Sequence, residues 1–259
     1  VLFLLGESLA LIKQPSVRLA IVWYSVHSMF SIYLYEIFPL WLLATKESGG
    51  MDFGLAAIGS IQSITGFVLL LYQSFLFPKI AKKILPVQLW TRSGFILVPL
   101  IIIMPFLSLL SDETEVSFLL SAALRSCQIV LDMTMFTCSF LLINNSCDAN
   151  KRGSANGLAM SCASVFKSIG PIIGGIVFAW SATNDLPFPF DYHFSFFLIA
   201  IMTLGESYLV SKLPQRLNLM KGENAKPDGD HVALGESTSP AKVEMVEIQN
   251  KVHRNKEMV

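Results

Sequence analysis

The sequence predicts an all-α membrane protein of six spanning helices, and three observations point to that class. Composition is the first: of 259 residues, 53% are hydrophobic and 15% charged, and the mean hydropathy is +0.57, too apolar for an ordinary soluble domain of this length. The second is segmentation into six apolar runs, each near the roughly 20 residues that cross a bilayer as a helix. They are too long and too little alternating for barrel strands, which run about 10 residues with period two. The third is a charge alternation between successive connections.

Taken in order, residues 1–18 read as the end of a central cytoplasmic loop. The chain opens on Val1, and "VLFLL" is too short to span and lacks the charged flank of a signal peptide. The chain is therefore expected to be a fragment that begins inside a longer protein. Lys13 and Arg18 precede the first span, Leu19 to Leu43. A connection with Lys46, Glu47 and Asp52 leads to the second span, Gly54 to Phe77. Lys79, Lys82 and Lys83 follow, and Arg92 lies just inside the third span, Leu89 to Leu110. Asp112, Glu113 and Glu115 precede the fourth, Val116 to Ile143, and Lys151 and Arg152 precede the fifth, Ser154 to Trp180. Asp185 and Asp191 lead to the sixth, Phe194 to Leu213, with Lys212 at its end and Arg216 and Lys221 after it. Cations collect on the cytoplasmic side of short connections, so both chain ends are expected there. Residues 19–213 form the six-helix lobe. Residues 214–259 are polar, mixed in charge and nearly free of aromatics, which fits a disordered cytoplasmic tail. Ser239 before Pro240 could take a phosphate, with an unmodified tail as the simpler reading.

Several function classes find no footing. Net charge is zero and no basic stripe stands outside the loops, so no nucleic-acid partner is indicated. Cys127, Cys138, Cys147 and Cys162 lie in or beside apolar runs without CxxC spacing or a histidine cluster, so they read as buried free thiols, and no metal site or cofactor is implied. There is no HExxH, GxSxG or paired-histidine motif, and the chain is not expected to be an enzyme. Asn144, Asn145 and Ser146 spell a glycosylation acceptor, but at the expected cytoplasmic end of the fourth span, so it reads as a chance match.

Ionisable groups inside spans are costly unless they pair or face water, so each is a functional candidate. They are His27 and Glu36 in the first span, Arg125 and Asp132 in the fourth, Lys167 in the fifth and Glu206 in the sixth. At 1.5 Å per residue, Asp132 and Lys167 each lie roughly 18 Å from the cytoplasmic ends of their helices, and Arg125 and Glu36 roughly 27 Å. They sort into two depth-matched pairs, Asp132 with Lys167 and Glu36 with Arg125. Each pair reads either as a proton-responsive or substrate-binding lining or as static glue between helices. For the outer pair, snorkelling makes the static or gating role easier. His27 lies about mid-span and could titrate near neutral pH, or simply be hydrogen-bonded beside Ser25 and Ser28. Glu206, toward the inner end beside Tyr208, Ser211 and Lys212, reads as an interfacial or packing residue.

The fifth span carries "KSIGPIIGG", Lys167 to Gly175. Pro171 cannot donate to the Lys167 carbonyl, which predicts a bend and a free acceptor at the level of the lysine. Gly170, Gly174 and Gly175 are expected to admit a neighbouring backbone, with Ser161, Ser164 and Ser168 extending a small polar stripe. The segment reads as a hinge lining a cavity or as a kinked packing helix.

Four stretches carry a resemblance: "YLYEIFPLWLLAT" (Tyr33 to Thr45), "SITGFVLLLYQSFLFP" (Ser63 to Pro78), "LLINNSCDANKRGSANGLAMS" (Leu141 to Ser161) and "FKSIGPIIGGIVFAWS" (Phe166 to Ser181). From about Glu7 to Leu213 the chain resembles the C-terminal half of a major facilitator superfamily transporter, in the zinc-induced-facilitator-like group of drug:proton antiporters. The resemblance implies that the six spans are family helices seven to twelve of a two-lobed carrier rocking around a central cavity. It implies that Glu36 and Lys167 stand where such transporters carry a glutamate and a lysine. It also implies that Asp148, Arg152, Gly153, Asn156 and Gly157 form a cytoplasmic loop motif. "GPIIGG" is similar to an antiporter signature of family helix five but stands in its repeat partner, so it supports rocking more than exchange direction. The N-terminal six-helix half, with its glycine, aspartate and arginine signature, is absent. The expected function is half of a proton-coupled secondary transporter for a small organic solute, metal chelator or ion, in a vacuolar or plasma membrane. The alternative is a truncated, non-transporting membrane module that associates with or regulates full-length carriers.

Overall fold

The computed structural model describes residues 11–110 and 114–219. The segment 1–10, Asp112 and Glu113, and most of the expected tail, with Lys221 and Ser239, lie outside the described residues. Six helices long and apolar enough to cross a membrane make up the described chain, and no strand is present among the described residues.

Helix α1, Pro15–Leu43, starts earlier than expected. Proline at the first helical turn loses no hydrogen bond and has φ preset for the helix, so the helix begins at Pro15 instead of at the first apolar residue. Helix α2, Leu55–Ala81, is α-helical to Leu71, passes through a π-helical turn at Tyr72–Leu76 and resumes at Phe77–Ala81. The turn lies just before Pro78, which has no N–H for the carbonyl of Ser74. From it, the Tyr72 hydroxyl reaches Thr134 Oγ1 at 2.7 Å, and Gln73 Nε2 donates to Thr137 Oγ1 at 3.2 Å. Helix α3, Pro86–Leu110, tightens to 3-10 geometry from Met104, beside Pro105. Helices α4, Thr114–Ser146, and α5, Arg152–Thr183, have 33 and 32 residues. At 1.5 Å per residue each is roughly 50 Å long, well beyond the hydrocarbon thickness. Helix α6, His193–Ser211, is the shortest at 19 residues.

Helix α1 lies along α5 and also packs on α4 and α6; α3 packs between α4 and α6, and α2 packs mainly on α4. The approach of α1 to α5 depends on two glycines. A Cβ on Gly170 would overlap Ile32 Cγ2 and stand 3.0 Å from the Met29 carbonyl oxygen, and one on Gly174 would stand 3.3 Å from Tyr33 Cδ2. Gly175 is different: nothing lies within 4 Å of where its Cβ would be. One residue further along α5 it is turned about 100° away from the α1 face, so it does not admit a neighbour. Helix α5 runs α-helical through Pro171, while the Lys167 carbonyl still loses its proline donor.

At the acidic end, Trp41 is fully buried, packs edge-on to Phe196 at 5.7 Å and donates its indole N–H to the Gly49 carbonyl at 3.1 Å. Gly49 has φ +73°, and a Cβ there would overlap the Tyr192 ring. The Gly49→Ala variant is expected to lose about 1–3 kcal/mol of stability from the left-handed backbone and the clash together; an unchanged thermal midpoint in detergent would refute that account.

At the basic end the ordered chain continues past α6, a departure from the expectation of a tail beginning at residue 214. Gln215–Asn218 form a 3-10 turn with Leu217 and Asn218 buried. The reason is hydrogen bonding: Asn218 Oδ1 accepts from the Val87 N–H at 3.0 Å, one of the donors that the start of α3 leaves unpaired, and Asn145 Nδ2 donates to the Leu217 carbonyl at 3.1 Å. Asn144, the glycosylation candidate, is held by Asn156, and Ser146 is buried. The four thiols are free, but only Cys138 and Cys147 are buried; Cys127 is exposed and Cys162 half-buried, a correction to the expectation that all four are core residues. Helix rotation decides this, since an apolar span presents an outer face as well as an inner one.

Candidate functional site

A cavity of about 350 Å³ opens between α1, α4 and α5, with Leu69 of α2 at its margin. Helix α4 supplies Arg125 and Asp132, seven residues and two turns apart on one face. Helix α5 supplies Lys167, and α1 supplies Ser28, Ser31 and Tyr35. Three of the ionisable groups singled out in the spans thus share one wall.

Their pairing differs from the depth-matched one. Asp132 does not bond Lys167: its Oδ2 accepts from Ser31 Oγ at 2.6 Å, and its Oδ1 lies 3.7 Å from His27 Nε2. The Lys167 ammonium sits over the Phe136 ring, 5.0 Å from its centroid. Arg125 is 3% exposed and its guanidinium covers Phe38 at 4.6 Å and Tyr35 at 5.8 Å. No ion pair joins Glu36 to Arg125 among the described residues. Tyr35 and Phe38 are three apart on one face of α1, and Glu36 is about 100° off that face. Equal depth is necessary for a contact, but rotation about the helix axis decides it.

Arg125 Nε is buried without a hydrogen-bond partner. Cation–π contact offsets part of the cost of burying a guanidinium, but an ion of this kind at bilayer depth still costs about 2.5–3.5 kcal/mol on insertion scales. The wall therefore presents two cations, neither held by an ion pair among the described residues, and one carboxylate held by Ser31 in the wall and by His27 behind it.

Behind the wall, the candidate His27 meets Glu206, which the sequence alone places at an interface or in packing. His27 is 1% exposed and Glu206 3%. His27 Nδ1 lies 3.2 Å from Glu206 Oε1 and 3.3 Å from Oε2; the hydrogen bond falls on Oε2, leaving Oε1 without a donor. His27 Nε2 lies 3.3 Å from the backbone carbonyl oxygen of Asp132. The ring is packed edge-on against Trp90 at 5.4 Å. Measured from the end of its own span, Glu206 looks interfacial. Yet α6 is followed by the buried turn whose Leu217 meets Asn145 of α4. Glu206 and Asp132 both reach the one His27 ring, at 3.2 and 3.7 Å, which puts them at nearly one depth in the lobe. The available signal was that His27 is the one histidine inside a span and Glu206 an acid with no cation on its own helix at that depth.

The loop group lies apart, at the basic end. Asp148 stands at the N-cap position of the 3-10 turn Ala149–Lys151, its backbone carbonyl accepting from the Lys151 N–H at 2.9 Å; Arg152 Nε donates to the Asn144 carbonyl at 3.1 Å, and Asn156 Nδ2 donates to Asn144 Oδ1 at 2.8 Å. Gly153 and Gly157 face open space.

The chain is 31% identical over 175 residues to a probable peptide/nitrate transporter of Arabidopsis thaliana, covering 66% of the chain and 35% of the relative. It is 30% identical over 198 residues to the protein zinc induced facilitator 1 of the same plant, covering 76% and 40%. A major facilitator superfamily multidrug transporter of Aspergillus fumigatus is 26% identical over 183 residues, covering 66% and 30%. The chain belongs to the major facilitator superfamily. The chain is an integral, multi-pass membrane protein, and its matched segment spans 30% to 40% of the length of these relatives. No family model and no solved structure matches the chain.

Proposed function

We propose that this chain is the C-terminal six-helix lobe of a proton-coupled carrier, an antiporter for a small organic solute, metal chelator or ion, with both ends cytoplasmic. The observation that carries the reading is the cavity wall, where Arg125 and Lys167 face a hollow with no ion-pair partner among the described residues while Asp132 is held by Ser31 and His27. Charges so placed are too costly for packing alone and suit a site that takes up a polar solute and a proton in turn. The partner of the lobe is an N-terminal six-helix half. In support, α2 and α5 keep only 17% and 22% of their most apolar stretches buried, against 44% in each of the other helices. Gly170 and Gly174, which let α5 lie close on α1, and Pro171 give that helix a compact, bendable segment beside the lysine. Rocking of the two halves would then expose the wall to one side at a time. The non-transporting module gains no observation in its favour.

The test uses the complete transporter in proteoliposomes with nitrate, a dipeptide and a zinc chelate as probes. The Lys167→Ala variant is expected to abolish uptake driven by a pH gradient. Unchanged uptake would reject a coupling role for Lys167, and equal loss with and without the gradient would assign it to binding or packing instead.

A further inference from the structure

The His27 cluster is closed within this lobe: its partners come from α4 and α6, and Glu206 has no exposed side-chain surface. Both ring nitrogens of His27 face oxygen acceptors, Nδ1 the Glu206 carboxyl and Nε2 the Asp132 backbone carbonyl, with Asp132 Oδ1 beyond it. A neutral imidazole carries one N–H and would aim its other lone pair at an oxygen. An imidazolium satisfies both sides.

We infer that His27 and Glu206 form a buried proton-binding site, an imidazolium–carboxylate pair whose outlet to the cavity is Asp132. The inference deepens the carrier reading and rests on it for its use in transport. The charged and titratable groups around His27 are few. Helix α6 contributes Glu206; α4 contributes Asp132 and, two turns away, Arg125; α5 contributes Lys167, over the same Phe136 ring that packs 6.3 Å from the histidine. Helix α3 contributes Trp90, which does not titrate, and α2 contributes only Leu69 to the cavity margin. On α1 itself the neighbour is Tyr24, packed on Phe136.

Release takes two steps. The Nε2–H bond breaks and an O–H bond forms at Asp132 Oδ1, leaving a neutral imidazole that still donates Nδ1–H to Glu206. The Asp132 carboxylic acid then gives its proton to a water molecule in the cavity, and uptake reverses both steps. Asp132 is the only member that lines the cavity: its side chain is 11% exposed, against 2% for His27 and 0% for Glu206. With Arg125 and Lys167 counted, the five groups carry a net +1 when loaded and 0 when released, so neither state strands a large charge.

The experiment is solid-state nitrogen NMR on the full 259-residue chain in lipid bilayers, with labelled histidine. The chain has four histidines, and loss of a signal pair in His27→Gln assigns the relevant one. At about pH 7, close to where an ordinary histidine titrates, the wild-type and Glu206→Asp proteins are expected to show both His27 nitrogens protonated. Glu206→Gln is expected to show one protonated and one bare nitrogen. A bare nitrogen in the wild type, or double protonation that survives Glu206→Gln, overturns the pair. Asp132→Asn is expected to keep the double protonation but slow solvent exchange of that proton by about a hundredfold, the low end of what a positioned acid–base group contributes; an unchanged rate overturns Asp132 as outlet. These readouts need no solute, so failure of the pair and failure of the carrier reading are separately visible.

Discussion

Gly170→Leu is expected to separate α1 from α5 and to produce protein that expresses poorly and runs as a polydisperse species in detergent. At this position even a Cβ overlaps Ile32 and presses on the Met29 carbonyl, which belongs to backbone and cannot turn aside. Overpacking in a well-packed core costs about 1–3 kcal/mol and occasionally more, and here four added carbons meet a helix backbone with no rotamer that avoids it. Gly170→Ala is expected to fall between wild type and leucine. Gly175→Leu is the control: its Cβ meets nothing within 4 Å, so its stability is expected to stay within about 0.5 kcal/mol of wild type, as for surface substitutions. Equal behaviour of the leucine variants at 170 and 175 would show that close approach at Gly170 does not hold the two helices together.

His27→Leu is expected to destabilise the lobe by about 3–5 kcal/mol, because it leaves the buried Glu206 carboxyl without its histidine partner, the cation of the inferred pair. The double variant His27→Leu with Glu206→Leu is expected to recover most of that loss, since two apolar side chains can replace a buried pair at little cost. Unfolding in mixed micelles, followed by tryptophan fluorescence, gives both numbers. If the double variant is no more stable than the single one, the two residues are not energetically coupled, and the contact between them carries no weight.

Much of the architecture was legible because the cost of leaving backbone polar groups unpaired in hydrocarbon makes long apolar runs helical. The ends of the helices were less legible. Pro15, Pro78 and Pro105 set where α1 starts, where α2 widens and where α3 tightens, through missing N–H groups that a hydropathy average does not register. The turn after α6 resembles tail in the sequence because Leu217 and Asn218 look like isolated members of a polar segment. They are ordered by the open start of α3 and by the Asn145 side chain of α4, which lie far away in the chain.

The candidate site divides along the same line. Arg125, Asp132 and Lys167 stood out one by one, since an ion in a span is expensive wherever it faces. The sequence by itself determined the class of the protein, its six helices and the small set of charges that must find a use. Only the tertiary structure decided which charges meet. Asp132 turned to His27 and Ser31 instead of Lys167, Arg125 turned to aromatic rings instead of Glu36, and Glu206 entered the core. The physical reason is that a contact requires matched depth and matched rotation together. Depth depends on how each helix is offset against its neighbours, and rotation on small residues such as Gly170 that set how closely two helices lie.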